Sequence, residues 1–557
     1  MENTLITSKD GKILYRVKEK SITHITIPNS VVYIPNYAFE NCPALQCIDI
    51  PNSVTTISEY AFVRCPALQS INVSENNQYY TSIDGILFNK DLTSILKFPA
   101  KNARKEFTIP NSVIKIDYCA FEGCTSLQFI DIPNSVTNIG YRAFEGCTSL
   151  KSVDIPNSVT KIQDNAFEGC TSLQFIDIPN SVTNIGYCAF EGCTSLKSVD
   201  IPNSVTKIGR RSFKGCTSLQ SIDIPNSITT IENGAFSGCI SLKDLRIEDD
   251  KHTLYLHNWE DSPENEAIFY DCPLTTLYIG RNLSYETNEG WHSSPFRDMT
   301  TLISVTISNC VTEIRKEAFS SCEVLKSIDV SKENPNYASL DGVLYDKELK
   351  TIIKFPCNKR ITEYNIPNSV TNIGYCAFEG CSSLQSIKIP KSVTNIGYCA
   401  FGGCTSLKNV DIPNNVTLIE NDAFSGCSAL QSINIPNSVT NIGIDAFSEC
   451  SALQSIDIPN SVTTIGYAAF KECSALQSID IPNSVTTIGD YAFGGCKALQ
   501  SIHIRITDIE NADIGEWAFN SIDTNNCVLY ISPGRRWAYR HHPVFGKFKN
   551  IEIEKQD

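Results

Sequence analysis

Apolar residues recur along most of the chain in one fixed phase. In residues 178–200, IPNSVTNIGYCAFEGCTSLKSVD, they fall at Ile178, Val182, Ile185, Ala189, Phe190, Cys193, Leu196 and Val199. The next copy starts at Ile201, and near-copies start at Ile109, Ile132, Ile155 and Ile224. After a disturbed middle the phase resumes at Ile366 and runs through Ile389, Ile412, Ile435, Ile458 and Ile481. A fixed period of 23 residues predicts a solenoid of about twenty coils, each burying one stripe against its neighbours.

Within one unit, Leu196, Val199 and Ile201 form an L-x-x-V-x-I pattern that sends alternate side chains of a short strand inward, with Ser198 and Asp200 outward. Pro179 follows its own strand at once and stops it, because proline cannot donate to a sheet ladder. Val182 and Ile185 predict a second short inward stretch before Gly186 turns the chain. Ala189, Phe190 and Cys193 share one face of a single helical turn. The fold expected is therefore an α/β solenoid, curved and right-handed, with a parallel sheet on its concave side and short helical turns on the convex side.

The recurrent IPNSVTxIGxxAFxGCxSLxSI closely resembles the BspA-like leucine-rich repeats, and the match covers nearly the whole chain. The resemblance implies a leucine-rich-repeat fold and a protein-binding or adhesive role at a cell surface. It supplies no catalytic motif. Nor do the residues: GxSxG, HExxH, a P-loop and a GxGxxG between strand and helix are all missing, and periodicity accounts for the repeated serines and cysteines. The chain is expected not to be an enzyme and to need no cofactor.

The regular phase divides the chain. Residues 1–26 read as an N-terminal cap, 27–247 as a first repeat block, 248–306 as irregular central coils, 307–504 as a second block and 505–557 as a C-terminal cap. Hairpin inserts are expected near 74–99 and 331–356, where SIDGILFNKDLTSILKFP and SLDGVLYDKELKTIIKFP place Asp-Gly between apolar strands. Each is expected to project from the solenoid wall, bracing the stack or touching a ligand. In the C-terminal cap, a strand, a short helix after Pro533-Gly534 and a last strand are expected, with Trp517, Trp537 and Phe545 sealing the core. Arg535, Arg536, Arg540, His541 and His542 form a basic tip there, read as a solvated helix face or a docking site.

Charge narrows the partner. The net charge of −15 argues against a general nucleic-acid binder, and no apolar run approaches the length of a membrane span. A protein ligand remains. The strand face carries Asp131, Asp154, Asp177, Asp200 and Asp223, and later Asp411, Asp457 and Asp480. Stacked like charges in water cost on the order of 1 kcal/mol or less. The column therefore serves solubility or an acidic track for a cationic partner. Phe129 and Phe175 interrupt the neighbouring serine column and add apolar grip. Trp259 and Trp291 in the irregular coils are the other candidate binding residues, as hot spots on loops or as rings packed under them. They would also be the platforms for a carbohydrate. His252 and His257 beside Glu248, Asp249, Asp250, Glu260 and Asp261 offer metal-ligand types, but their spacing matches no closed site, so no metal is expected.

Most of the 24 cysteines share the position of Cys193, an in-phase column expected to face the core as small hydrophobes. Cys376 and Cys399 differ: they precede the Ala-Phe pair in consecutive coils and are candidates to bridge. The start, MENTLITSKDGKILYRVKEK, has no secretory-signal pattern, which with the thiols points to the cytoplasm and a scaffold role. The family resemblance points instead to the cell surface.

Overall fold

A computed structural model describes residues 4–257, 267–285 and 294–554. The chain divides into two compact units, Met1–Leu274 with Tyr278–Pro295, and Thr275–Leu277 with Phe296–Asp557. Each is a stack of parallel β-coils.

In the first unit the strands Glu106–Thr108, Phe129–Asp131, Ser152–Asp154 and Phe175–Asp177 pair in parallel, one coil apart. Their centres are apolar and buried, as in Val153 and Ile176, and the residues on either side face outward. The expected second stretch forms its own ladder, with Asn184–Ile185, Lys207–Ile208 and Thr230–Ile231 paired in parallel. The second unit repeats both ladders, for example Ser386–Lys388 with Asn409–Asp411 and Asn372–Ile373 with Asn395–Ile396.

Between the ladders runs the Pro-Asn-Ser-Val turn. Val136 N–H donates to the Pro133 carbonyl at 3.0 Å. The serine then ties coil to coil: Ser181 Oγ donates to the Val159 carbonyl and Ser204 Oγ to the Val182 carbonyl, both at 2.6 Å. Where a coil is lengthened, a larger side chain takes over. Asn77, fully buried, donates to the Pro51 and Val54 carbonyls, and buried Arg281 donates to those of Pro225, Asn226 and Ile228. The Pro51 and Pro225 carbonyls also accept their own turn's N–H, from Val54 and Ile228; the side chains serve the carbonyls that the turn leaves over.

The third side of the coil corrects one expectation. The Ala-Phe segment is not a helical turn but a run of hydrogen-bonded turns. Ala120, Glu122 and Cys124 donate three residues back, whereas Cys119, Phe121 and Gly123 donate to Tyr141, Ala143 and Glu145 of the next coil. Alternate residues therefore serve a third inter-coil ladder, which an α-helix would forbid. The backbone enforces this, because Cys119 at φ 54° and Gly123 at φ 71° are left-handed. Among the described residues the α-helix is confined to Arg536–His541 in the C-terminal cap.

Phenylalanines and cysteines fill the interior. Phe121, Phe144, Phe167, Phe190, Phe213 and Phe236 stack with centroids 5.0–5.5 Å apart. The cysteine column does more than fill space: most of its thiols donate to the carbonyl of the previous coil's phenylalanine, as Cys170 does to Phe144 at 3.2 Å.

Both Asp-Gly inserts turn antiparallel hairpins, Tyr80–Ile83 with Ile86–Asn89 and Tyr337–Leu340 with Val343–Asp346. They do not project. Ile86, Leu87 and Phe88 are buried, and Ile71 N–H donates to the Gly85 carbonyl at 2.9 Å, so the hairpin lies against the wall. The C-terminal cap has the expected Val528–Ile531, Arg536–His541 and Asn550–Ile553. Its seal differs. Phe545 is buried, but Trp517 and Trp537 are 46% and 70% exposed, and Tyr539 closes the core instead, donating to the Ile506 carbonyl at 2.7 Å. The short helix buries one face, and Trp537 lies two positions from Tyr539, on the other side.

Candidate binding face

The strand face of the first unit holds the strongest surface feature. Asp131, Asp154, Asp177, Asp200 and Asp223 are all exposed. Asp154 is paired with Asp177 in register, and Asp223 is followed by Arg246, where the acidic run ends. Two residues earlier on the same face, Phe129 and Phe175 are each paired with Ser152, one from either side. They are 40% and 55% exposed, and strand spacing sets them roughly 10 Å apart. The Lys151 ammonium lies 5.3 Å from the Phe129 ring centroid and partly covers it.

At Asp200 the face opens. The strand ladder parts between Phe175–Asp177 and Ser221–Ile224, and the bonds from Lys197 N to Gln174 O and from Gln220 N to Lys197 O stretch to 3.4 Å. A depression of about 370 Å³ lies there, lined by Asp200, Asp223 and Glu248 with Ser198, Ser221 and Asn203. The coil that reads best as a repeat is thus the one whose strand is loosest.

In the second unit the same column is broken. Asp411 faces Asn434, Asp457 lies between Asn434 and Asp480, and Asp480 is followed by His503. Arg505 pairs with Asp480 at 2.7 Å and with Glu554 at 3.4 Å, consuming the acidic charge. Burial raises the Asp480 carboxyl above the usual carboxylate range, and Arg505 opposes it.

Trp259 and Trp291 lie outside the described residues, as do Glu260 and Asp261. His252 Nδ1 bonds Asp250 Oδ1 at 3.0 Å. Among the described residues the groups with metal-ligand geometry are elsewhere: His24 with Cys47 and Asp49, and Cys376 with Glu379 and Cys399. Sequence reasoning paired the last two cysteines but missed the glutamate. Lining up the coils would have shown that Cys399 precedes Gly402 where Cys376 precedes Glu379.

The column cysteines are poor nucleophiles. Burial pushes the Cys216 and Cys496 thiols up to about 12, far from the thiolate that reactivity needs. No described helix is long and apolar enough to cross a membrane.

The family model for the BspA type leucine-rich repeat region matches in six copies, at residues 15–103, 96–203, 160–288, 262–339, 353–477 and 463–533. No curated protein matches. Among solved structures, a leucine-rich repeat protein from Eubacterium ventriosum is 24% identical, over 59% of this chain and 83% of that one, with a TM-score of 0.46. One from Bacteroides ovatus is 26% identical over 80% and 97%, with a TM-score of 0.44. The pneumococcal vaccine antigen PcpA is 19% identical over 86% and 96%, with a TM-score of 0.42.

Proposed function

Because the chain belongs to the BspA-type leucine-rich repeat family, we propose that it is a non-catalytic recognition protein that binds a protein partner through the strand face of its first unit, in the manner of an adhesin. The observation that carries this reading is the run of five exposed aspartates beside the exposed rings of Phe129 and Phe175. Charge of one sign along a face speeds the encounter with a cationic partner. Exposed rings at its centre supply the apolar contact that charge alone lacks. The depression at Asp200, Asp223 and Glu248 gives one cationic or polar side chain a place to enter.

The test uses the face itself. Wild-type protein and the Phe129→Ser, Phe175→Ser double variant are immobilised and exposed to surface and extracellular fractions from the source cells and their surroundings. A partner held by the wild type and lost by the variant supports the reading. Equal retention by both moves recognition off this face. Protease treatment of intact source cells decides the setting, since cleavage places the chain outside and protection places it within.

A further inference from the structure

The turn that carries Cys376 and Glu379 and the turn that carries Cys399 lie on two consecutive coils of the second unit. Both cysteines are left-handed, at φ 49° and 50°, and each is held by the same inter-coil bond: Cys376 N–H donates to the Tyr398 carbonyl and Cys399 N–H to that of Asn421, both at 3.0 Å. The shared register directs both thiols the same way. The two sulfurs and a Glu379 carboxylate oxygen all lie within 4.8 Å of one another. A tetrahedral ion with sulfur at about 2.3 Å and oxygen at about 2.0 Å needs ligand atoms roughly 3.5–3.8 Å apart, which small side-chain rotations supply.

Three details separate this cluster from its equivalents. First, Glu379 Oε2 is buried without a hydrogen-bond partner; Glu145 Oε2 is too, but it has the Arg142 guanidinium 3.1 Å away. At the same register in the first unit, Cys188 donates to Glu191 Oε2 at 2.6 Å. Second, Gly402 clears the space: a Cβ there would meet Cys399 Sγ at 2.4 Å, whereas the preceding coil carries Glu379 at that position. Third, the corresponding place beside Cys119 and Glu122 holds Arg142 and Glu145, and Arg142 Nε pairs with Glu145 Oε2 at 3.1 Å. The first unit thus fills with a guanidinium what the second leaves to two thiols and a carboxylate.

We propose that Cys376, Cys399 and Glu379 bind a thiophilic divalent cation of the zinc type, stapling two neighbouring coils. Two thiolates and a carboxylate carry three negative charges. A divalent ion and the buried Lys354 ammonium, which donates to the Cys376 carbonyl at 2.9 Å, neutralise them. The ion takes a solvent molecule as its fourth ligand, since Glu379 and Cys399 are only partly buried. Thiols ligate such an ion as thiolates, so binding releases protons and weakens as pH falls.

The test uses the full chain, reduced and stripped of metal under anaerobic conditions, titrated with Co²⁺ and then Zn²⁺. One equivalent of Co²⁺ is expected to give a thiolate-to-cobalt charge-transfer band that Zn²⁺ abolishes. The band is lost in Cys399→Ser and weakened in Glu379→Gln, and it persists in His24→Ala, which removes the other ligand cluster. Zn²⁺ raises the melting temperature of the wild type and leaves that of a folded Cys399→Ser unchanged. The proposal is overturned if no band forms, if it survives Cys399→Ser, or if the two cysteines prove bridged and their reduction restores no binding.

Discussion

The Cys193 thiol donates a hydrogen bond to the Phe167 carbonyl at 3.2 Å, one coil back along the stack. This contact repeats up both units, as Cys216 to Phe190 and Cys450 to Phe424, at 3.3 Å each. It joins the two interior columns and accounts for cysteine where alanine or valine would also fit. Valine fills the space but leaves the Phe167 carbonyl with one donor, the Cys170 N–H at 3.2 Å, in place of two; serine keeps the second donor but is smaller and harder to desolvate.

Cys193→Ala is expected to destabilise the chain by about 1–2 kcal/mol, the cost of the carbonyl's lost second hydrogen bond and a small cavity. Cys193→Gln is expected to cost more, because a long polar side chain has no room among residues that are fully buried. Urea melts followed by circular dichroism measure both. A Cys193→Gln melt matching wild type would show that this column does not face the core.

Glu449 and Glu472 stand where other coils have a left-handed glycine, at φ 60° and 57° against 69° for Gly426. A non-glycine residue there costs on the order of 1 kcal/mol. Replacing both by glycine is expected to raise the melting temperature. The gain is smaller at Glu472 if its pairing with Lys497 at 3.9 Å contributes. A lower melting temperature in Glu449→Gly would contradict the strain argument.

Glu145 supplies a pH dependence. Burial pushes its carboxyl up to about 7, helped by Glu168 and Glu122 and opposed by Arg142. Between about 4.5, its value in the unfolded chain, and about 7, the folded chain holds a proton that the unfolded chain has released. Stability from this group therefore falls as pH rises through that window, by about 1–2 kcal/mol for a side chain still 24% exposed. Glu145→Gln should flatten the melting profile between pH 5 and 8 and leave it unchanged near pH 4. An identical slope in the variant would refute the assignment.

Periodicity made much of this legible. The phase of Ile178, Val182, Phe190, Cys193 and Leu196 identified the buried stripe, because a repeated coil must bury the same positions each time. What it could not show is backbone sign. Ala189, Phe190 and Cys193 fit one helical face, but left-handed Cys188 and Gly192 divide that segment into turns. Tryptophan misled at the C-terminal cap, since size alone placed Trp537 in the core while Tyr539, with a carbonyl to reach, took the site. On the candidate binding face, the aspartate column was visible as part of the repeat and the two phenylalanines as breaks in its serine column. The depression at Asp200 was not, because its coil has the same sequence pattern as its neighbours.

Recognition through the first unit's strand face is open to a salt titration. The affinity of the captured partner is measured at low and high ionic strength for wild type and for Asp131→Asn, Asp154→Asn, Asp177→Asn, Asp200→Asn and Asp223→Asn combined. With folding intact, the account predicts weaker binding and a flatter salt dependence in the variant, because exposed charges act through a screened field. Equal affinity and an equal slope would contradict it.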